Sequence, residues 1–148
     1  MHRFIASWFG SGFILGRLRG SDAGSGTVAA TTALVLALVL HPLGWVVQLA
    51  AAILVTALAL WSAAPFAEGD PGWIVVDEAA GMLWATIGIG GWAAVVAFVV
   101  FRIADITKRF PGASEAERLP GALGVTADDV VAGLYALAAG WAFFLLVG

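Results

Sequence analysis

Cysteine is missing from the 148 residues, tyrosine occurs once, and only seven lysines and arginines stand beside ten aspartates and glutamates. Without a thiol there is no cysteine nucleophile, no thiolate metal site and no disulfide, and the redox compartment is left open. A formal charge of -3 supplies no basic field for nucleic acid. Charged residues of both signs make up 11% of the chain against 61% hydrophobic residues, where a soluble domain carries about 25% charged. That balance excludes an ordinary soluble core. It points to a multi-pass bundle of membrane helices, all-α in class.

What charge there is lies in blocks. Residues 28–67 carry none, and His41-Pro42-Leu43-Gly44 breaks that run with a helix stop and a turn. Residues 79–101 are again uncharged and are broken by Gly88-Ile89-Gly90-Gly91; residues 130–148 form the last such run. The pattern predicts about five membrane helices, over 27–40, 45–64, 73–87, 92–107 and from about 128 onward. A competing reading takes 79–101 as one span, which would put Asp77 and Asp105 on opposite sides; the glycines argue for a turn instead. Spans of about 15 residues rise only about 22 Å, short of a hydrocarbon core of roughly 30 Å, so thinning of the bilayer or partial burial of the polar turns is expected.

Five spans place all seven basic residues (Arg3, Arg17, Arg19, Arg102, Lys108, Arg109, Arg118) and all ten acids on or beside one face. The positive-inside rule makes that face cytoplasmic, in a cell (inner) membrane. The start of the chain, Met1-His2-Arg3 and then an apolar stretch, has the outline of a signal peptide. It lacks a convincing cleavage site and runs into Arg17 and Arg19, so residues 1–26 are expected to be a retained interfacial segment with a glycine-rich loop, followed by a helical membrane domain over 27–148.

Three acidic clusters border the apolar runs: Asp77-Glu78, Arg102-x-x-Asp105-x-x-Lys108, and Asp128-Asp129. An acid at mid-depth in a membrane helix costs about 2.5 to 3.5 kcal/mol on the insertion scale, so each cluster needs a reason. Gly81 follows Asp77 by four residues and Gly133 follows Asp129 by four, which clears the same helical face for close approach of a neighbour or ligand. Arg102, Asp105 and Lys108, three apart, read as one stripe toward the helix end. Carboxylates from several helix ends at one leaflet suit a hard, oxygen-loving cation such as Mg2+, with Arg102, Lys108 and Arg118 near enough to hold a phosphate.

Each cluster also has a plainer explanation. Thr126-x-x-Asp129 is a capping-box pattern, and Asp128 and Asp129 both favour a helix N-terminus. Arg102 and Asp105 make an i,i+3 ion pair. Asp77-Glu78 resists such a reading best, having neither cap nor partner nearby in sequence. His41 falls on the far side, His2 reads as a solvated terminus, and the seven tryptophans read as interface belt and packing. Gly24-Ser25-Gly26-Thr27 at a helix start could cradle a phosphate, although such loops are commonly only turns and caps.

In order and spacing, Val76-Asp77-Glu78-Ala79-Ala80-Gly81-Met82, then Phe101-Arg102-Ile103-Ala104-Asp105-Ile106-Thr107-Lys108, then Gly121-Ala122-Leu123-Gly124-Val125-Thr126-Ala127-Asp128-Asp129-Val130-Val131-Ala132-Gly133 resemble the signature blocks of the phosphatidylglycerophosphatase A family. Leu15-Gly16-Arg17-Leu18 and Gly26-Thr27 are similar to that family's glycine-rich opening. The resemblance implies a Mg2+-dependent membrane enzyme that removes the terminal phosphate of phosphatidylglycerophosphate, with the family's acidic residues at Asp77, Glu78, Asp105, Asp128 and Asp129. The chain departs from the pattern in places. Lys108-Arg109-Phe110-Pro111 and Glu117-Arg118 replace a Lys-Pro with further prolines and an Asp-Arg pair, Gly121-Ala122 replaces paired glycines, and Ser25 replaces a proline. These changes fall in loops expected to touch the head group, so they bear on substrate more than on reaction type.

With no cysteine, and no histidine on that side except His2, phosphoenzyme routes through those residues have no good nucleophile. Metal-activated water or an aspartyl nucleophile remains. The expected catalytic set is Asp77, Glu78, Asp105, Asp128 and Asp129, with metal ligands among Asp77, Glu78, Asp105 and Asp129, and with Arg102, Lys108 and Arg118 on the phosphate of an anionic phospholipid. The alternatives are a related lipid-phosphate phosphatase, a small lipid kinase that would require ATP, a channel or transporter, and a structural membrane subunit. A homo-oligomer is compatible with the sequence, which fixes no oligomeric state.

Overall fold

The computed structural model describes residues 1–66, 71–112, 115, 116 and 118–147. Among them are seven α-helices and no strand: α1 (His2–Ala6), α2 (Ile14–Arg19), α3 (Ser25–Leu40), α4 (Trp45–Ala63), α5 (Val76–Ala85), α6 (Gly91–Thr107) and α7 (Ala122–Val147). Among the described residues three stretches are long and apolar enough to cross a membrane, Ser25–Leu43, Trp45–Ala63 and Ala122–Val147. Two of the five expected spans are shorter. The ten residues of α5 rise about 15 Å and the 17 of α6 about 25 Å at 1.5 Å per residue.

The inward faces are built from small residues. Ala29, Ala30, Ala33 and Ala37 of α3, Ala52 and Ala59 of α4, and Ala132, Gly133, Ala136 and Gly140 of α7 are buried, whereas Val35, Trp45, Leu54, Leu145 and Leu146 face outward. This is the arrangement expected in lipid, where helices gain by close backbone approach and large apolar side chains have no water to escape. α7 packs most extensively, against α5 and α6, and α5 also packs against α3 and α4.

Both predicted turns occur, and they meet at one end of the bundle. Gly44 has φ 97°, Gly88 76° and Gly91 53°, conformations that a side chain strains against. The ring of His41 fills the space that a side chain at Gly90 would need. The single-span reading of 79–101 is therefore replaced by two helices joined by a turn. Buried Gln48 ties this end together: its amide donates to the carbonyls of Ala37 and Thr86, each at 3.2 Å, and its oxygen accepts from the Gly88 N–H at 2.8 Å. Trp141 of α7 donates to the Ile87 carbonyl at 3.1 Å. Replacing Gln48 by Leu strands the Gly88 N–H and should lower stability by about 1–3 kcal/mol, read as a lower unfolding temperature, with turnover per folded molecule unchanged.

At the opposite end the N-terminal segment folds back onto the bundle. α1 packs on α4, the Val75 N–H bonds the Ala6 carbonyl at 3.0 Å, and the Ser25 hydroxyl bonds the Gly12 carbonyl at 3.1 Å. His2 is not simply solvated. Its ring lies 4.0 Å from that of Trp61, and its Nδ1 is 3.2 Å from the Trp61 carbonyl oxygen.

Candidate active site

Two acid-glycine pairs build the site by packing against each other. A Cβ at Gly81 would lie 2.5 Å from the Asp129 carbonyl oxygen and 2.6 Å from the Phe101 ring, and one at Gly133 would collide with the Gly81 carbonyl. Only glycine lets α5 and α7 cross this closely. The crossing carries Asp77 and Asp129 together, one helical turn before each glycine. Asp77 is 6% exposed and Asp129 4% exposed.

Asp77 and Glu78 occupy the first turn of α5, nearer its start than the sequence suggested. The helix dipole favours acids there, yet it does not require burying them. One oxygen from each of Asp77, Glu78 and Asp129 lies within 4.8 Å of the other two. Asp77 Oδ1, Glu78 Oε2 and Asp129 Oδ1 are buried with no hydrogen-bond partner. Three converging carboxylates that each bury an unpartnered oxygen are expensive, and a divalent cation satisfies them at once. The donor set is oxygen only, which fits Mg2+ rather than a softer metal.

The capping-box reading of Thr126-x-x-Asp129 fails on helix position. α7 begins at Ala122, so Thr126 lies inside the helix with its hydroxyl buried and unbonded, and Asp128 and Asp129 sit well past the first turn. Asp128 pairs with Lys108 Nζ at 2.9 Å and accepts the Asp129 N–H at 2.9 Å. Lys108 does not continue the Arg102-Asp105 stripe. α6 stops at Thr107, and Lys108, with φ 50° as its C-cap, swings toward α7. Asp105 is taken by an ion pair with Arg102 and is not among the three clustered carboxylates.

A cavity of about 350 Å³ opens on this cluster, lined by Asp77, Glu78, Asp105, Lys108, Asp128 and Asp129 with Gly72, Ile74, Leu119, Gly121 and Val125. Of the three cations expected to meet a phosphate, Lys108 lines it; Arg102 and Arg118 do not. Arg102 is mostly buried behind Glu78, and Arg118 is exposed. Glu117, in the loop pair that departs from the family pattern, lies outside the described residues. Gly26 proves to be more than a turn residue: a Cβ there would fall 2.9 Å from the Glu78 carboxyl carbon and 3.3 Å from the Arg102 guanidinium. The Gly26-Thr27 block carried that signal, and spacing alone did not reveal that it faces the acids. No histidine lines the cavity: His2 rests on Trp61 and His41 packs at Gly90, at the far end.

A sequence model of the family described as Phosphatidylglycerophosphatase A matches residues 4–144. The chain belongs to the phosphatidylglycerophosphatase A family. A Bacteroides thetaiotaomicron protein, named provisionally as a phosphatidylinositol-3-phosphatase, is 32% identical over 145 residues, covering 88% of this chain and 86% of that protein. No solved structure matches the chain. Membership in the phosphatidylglycerophosphatase A family, with a relative named a phosphatase, supports a phosphatase of phospholipid phosphomonoesters set among apolar membrane helices.

Proposed function

We propose that the protein hydrolyses the terminal phosphomonoester of phosphatidylglycerophosphate, giving phosphatidylglycerol and phosphate, with Mg2+ held by Asp77, Glu78 and Asp129. The observation that carries this is the convergence of Asp77, Glu78 and Asp129, each of which buries one carboxylate oxygen without a hydrogen-bond partner, on a cavity at one end of a membrane bundle. When bound, the cation supplies electrophilic polarisation of the phosphoryl group and lowers the cost of deprotonating water. The chain's own residues do the rest. Lys108 presents its ammonium to the phosphate oxygens. Asp128, bridged to Lys108, is placed to take the proton of the attacking water. Arg102 holds Asp105 as a fixed anion at the cavity wall and keeps Glu78 aligned above Gly26. Water is the nucleophile in this scheme: with no thiol or imidazole lining the cavity the other route is an aspartyl nucleophile, and here Asp77 and Asp129 are assigned to the cation instead.

The basic residues that fall at the site end, Arg3, Arg17, Arg102, Lys108, Arg109 and Arg118, support a cytoplasmic-facing site in the inner membrane. A second reading, hydrolysis of a phosphoinositide monoester, is favoured by the name of the Bacteroides thetaiotaomicron relative and by the departures in the head-group loops. Purified protein offered phosphatidylglycerophosphate or phosphatidylinositol 3-phosphate, with and without Mg2+ and without nucleotide, decides between them. We expect Mg2+-dependent phosphate release from the glycerol lipid, faster than from the inositol lipid. Faster release from the inositol lipid would transfer the assignment, and a requirement for ATP would end it.

Replacing Lys108 by Met removes the charged contact and leaves Asp128 without its partner. The loss in kcat/KM should be about 10- to 100-fold, read from initial rates.

A further inference from the structure

Next to the carboxylate cavity, and separated from it by residues 72–75, lies a second and larger hollow that the phosphatase chemistry leaves unused. Gly72 and Ile74 face the acids, while Trp73 turns the other way and stacks on Phe13 at 5.3 Å between ring centroids. On that side α1, α2 and the turn between them enclose a groove of about 870 Å³. Its apolar lining includes Phe4, Phe9 and Ile14, each about half exposed, and its charged side chains are Arg3 and Arg17. No acid lines it.

The groove is built rather than incidental. Trp8 and Phe9 are consecutive non-glycine residues in the left-handed region, at φ 47° and 58°. Such strain persists only where surrounding contacts hold it. Here Trp8 is buried and donates its indole N–H to the Thr32 hydroxyl at 2.8 Å, and the Ser7 hydroxyl oxygen accepts the Gly10 N–H at 3.1 Å. The turn drives Trp8 inward and Phe9 outward. Arg3 is fixed with its guanidinium carbon 5.1 Å from the Phe13 ring centroid and 5.3 Å from that of Trp73, and neither Arg3 nor Arg17 forms an ion pair with a described acid. Two guanidiniums beside an exposed aromatic and aliphatic wall, at the end of the bundle where the basic residues gather, match an amphiphile with an anionic head and an apolar tail.

We propose that this groove holds an anionic phospholipid of the surrounding leaflet, distinct from the substrate, with its phosphate met by Arg3 and Arg17 and an acyl chain lying along Phe4, Phe9 and Ile14. Trp73, stacked on Phe13 and under Arg3, stands between this groove and the cavity that Gly72 and Ile74 line, and the two hollows share no lining residue.

Delipidated full-length protein in detergent, titrated with dioleoylphosphatidylserine or dioleoylphosphatidylcholine and read by native mass spectrometry, tests this. One phosphatidylserine should bind on the order of tenfold more tightly than phosphatidylcholine, about fivefold per arginine before losses from ordering. Arg3→Gln with Arg17→Gln should reduce the preference to about twofold or less, while Arg3→Lys with Arg17→Lys retains most of it and both keep turnover. Should the double Gln variant fail to fold, Arg17→Gln alone should lower the preference about two- to threefold. Equal binding of the two lipids, or a preference unmoved by the Gln substitutions, overturns the proposal. Loss of turnover in a folded Gln variant would put the substrate itself in the groove and overturn it equally.

Discussion

Asp129→Asn should lower phosphate release on the order of 10²- to 10³-fold or more while the protein stays folded in membrane or detergent. Asparagine keeps the shape of the side chain and removes one of three converging anions. Neutralising it relieves repulsion between carboxylates that each bury an oxygen without a hydrogen-bond partner, so the metal-free variant should be at least as stable as the parent. The two proteins should therefore differ in the response of stability to Mg2+. The parent gains about 2.7 kcal/mol when Mg2+ is present at 100 times its dissociation constant, and the variant gains little. Asp77→Asn should behave alike. Equal activity in either variant would remove that residue from the site. A fall in metal-free stability would show that the carboxylate holds the fold rather than a cation.

Gly133→Ala is expected to be more damaging than any other single methyl group added to α7. The new Cβ collides with the Gly81 carbonyl and comes 3.2 Å from the Trp84 Cβ; backbone cannot yield as a flexible side chain can. Overpacking of this kind costs typically about 1–3 kcal/mol, and more where the obstacle is main chain. The same displacement carries Asp129 away from Asp77, so activity per folded molecule should fall by about tenfold or more. By contrast, Leu145→Ala, at a residue 75% exposed on the outer face, should change neither. Unfolding temperature and initial rate, measured on both variants, separate packing from chemistry. A fully active Gly133→Ala would mean that α5 and α7 do not cross as closely as described.

Much of this was legible in the residues because membrane helices tolerate so few polar groups. His41-Pro42-Leu43-Gly44 and the glycines from Gly88 to Gly91 read best as turns, and both are. The spacing of four between Asp77 and Gly81, repeated at Asp129 and Gly133, announced close approach, and the neighbour each glycine admits is the other helix. Less legible was whatever depended on where a helix stops. Lys108 lies three residues beyond Asp105 and would share its face had α6 continued; one residue in the left-handed conformation sends it to Asp128 instead. The capping pattern at Thr126 misled for the converse reason, since α7 starts four residues earlier, at Ala122. Apolar periodicity cannot mark that start in a helix that is hydrophobic on nearly every side. Nor does spacing choose every partner: the i,i+3 spacing announced the Arg102–Asp105 pair, but Asp128 looks like Asp129 in sequence, and only the fold commits it to Lys108.

The account rests on Asp77, Glu78 and Asp129 sharing one divalent ion, and the most direct test is to count it. Metal-free protein in detergent, titrated with Mn2+ as a spectroscopic stand-in for Mg2+ and followed by electron paramagnetic resonance of the free ion, should take up Mn2+ that excess Mg2+ displaces. Asp77→Asn and Asp129→Asn should each weaken that uptake by on the order of tenfold or more. Undiminished uptake in both variants would place the ion elsewhere and contradict the reading.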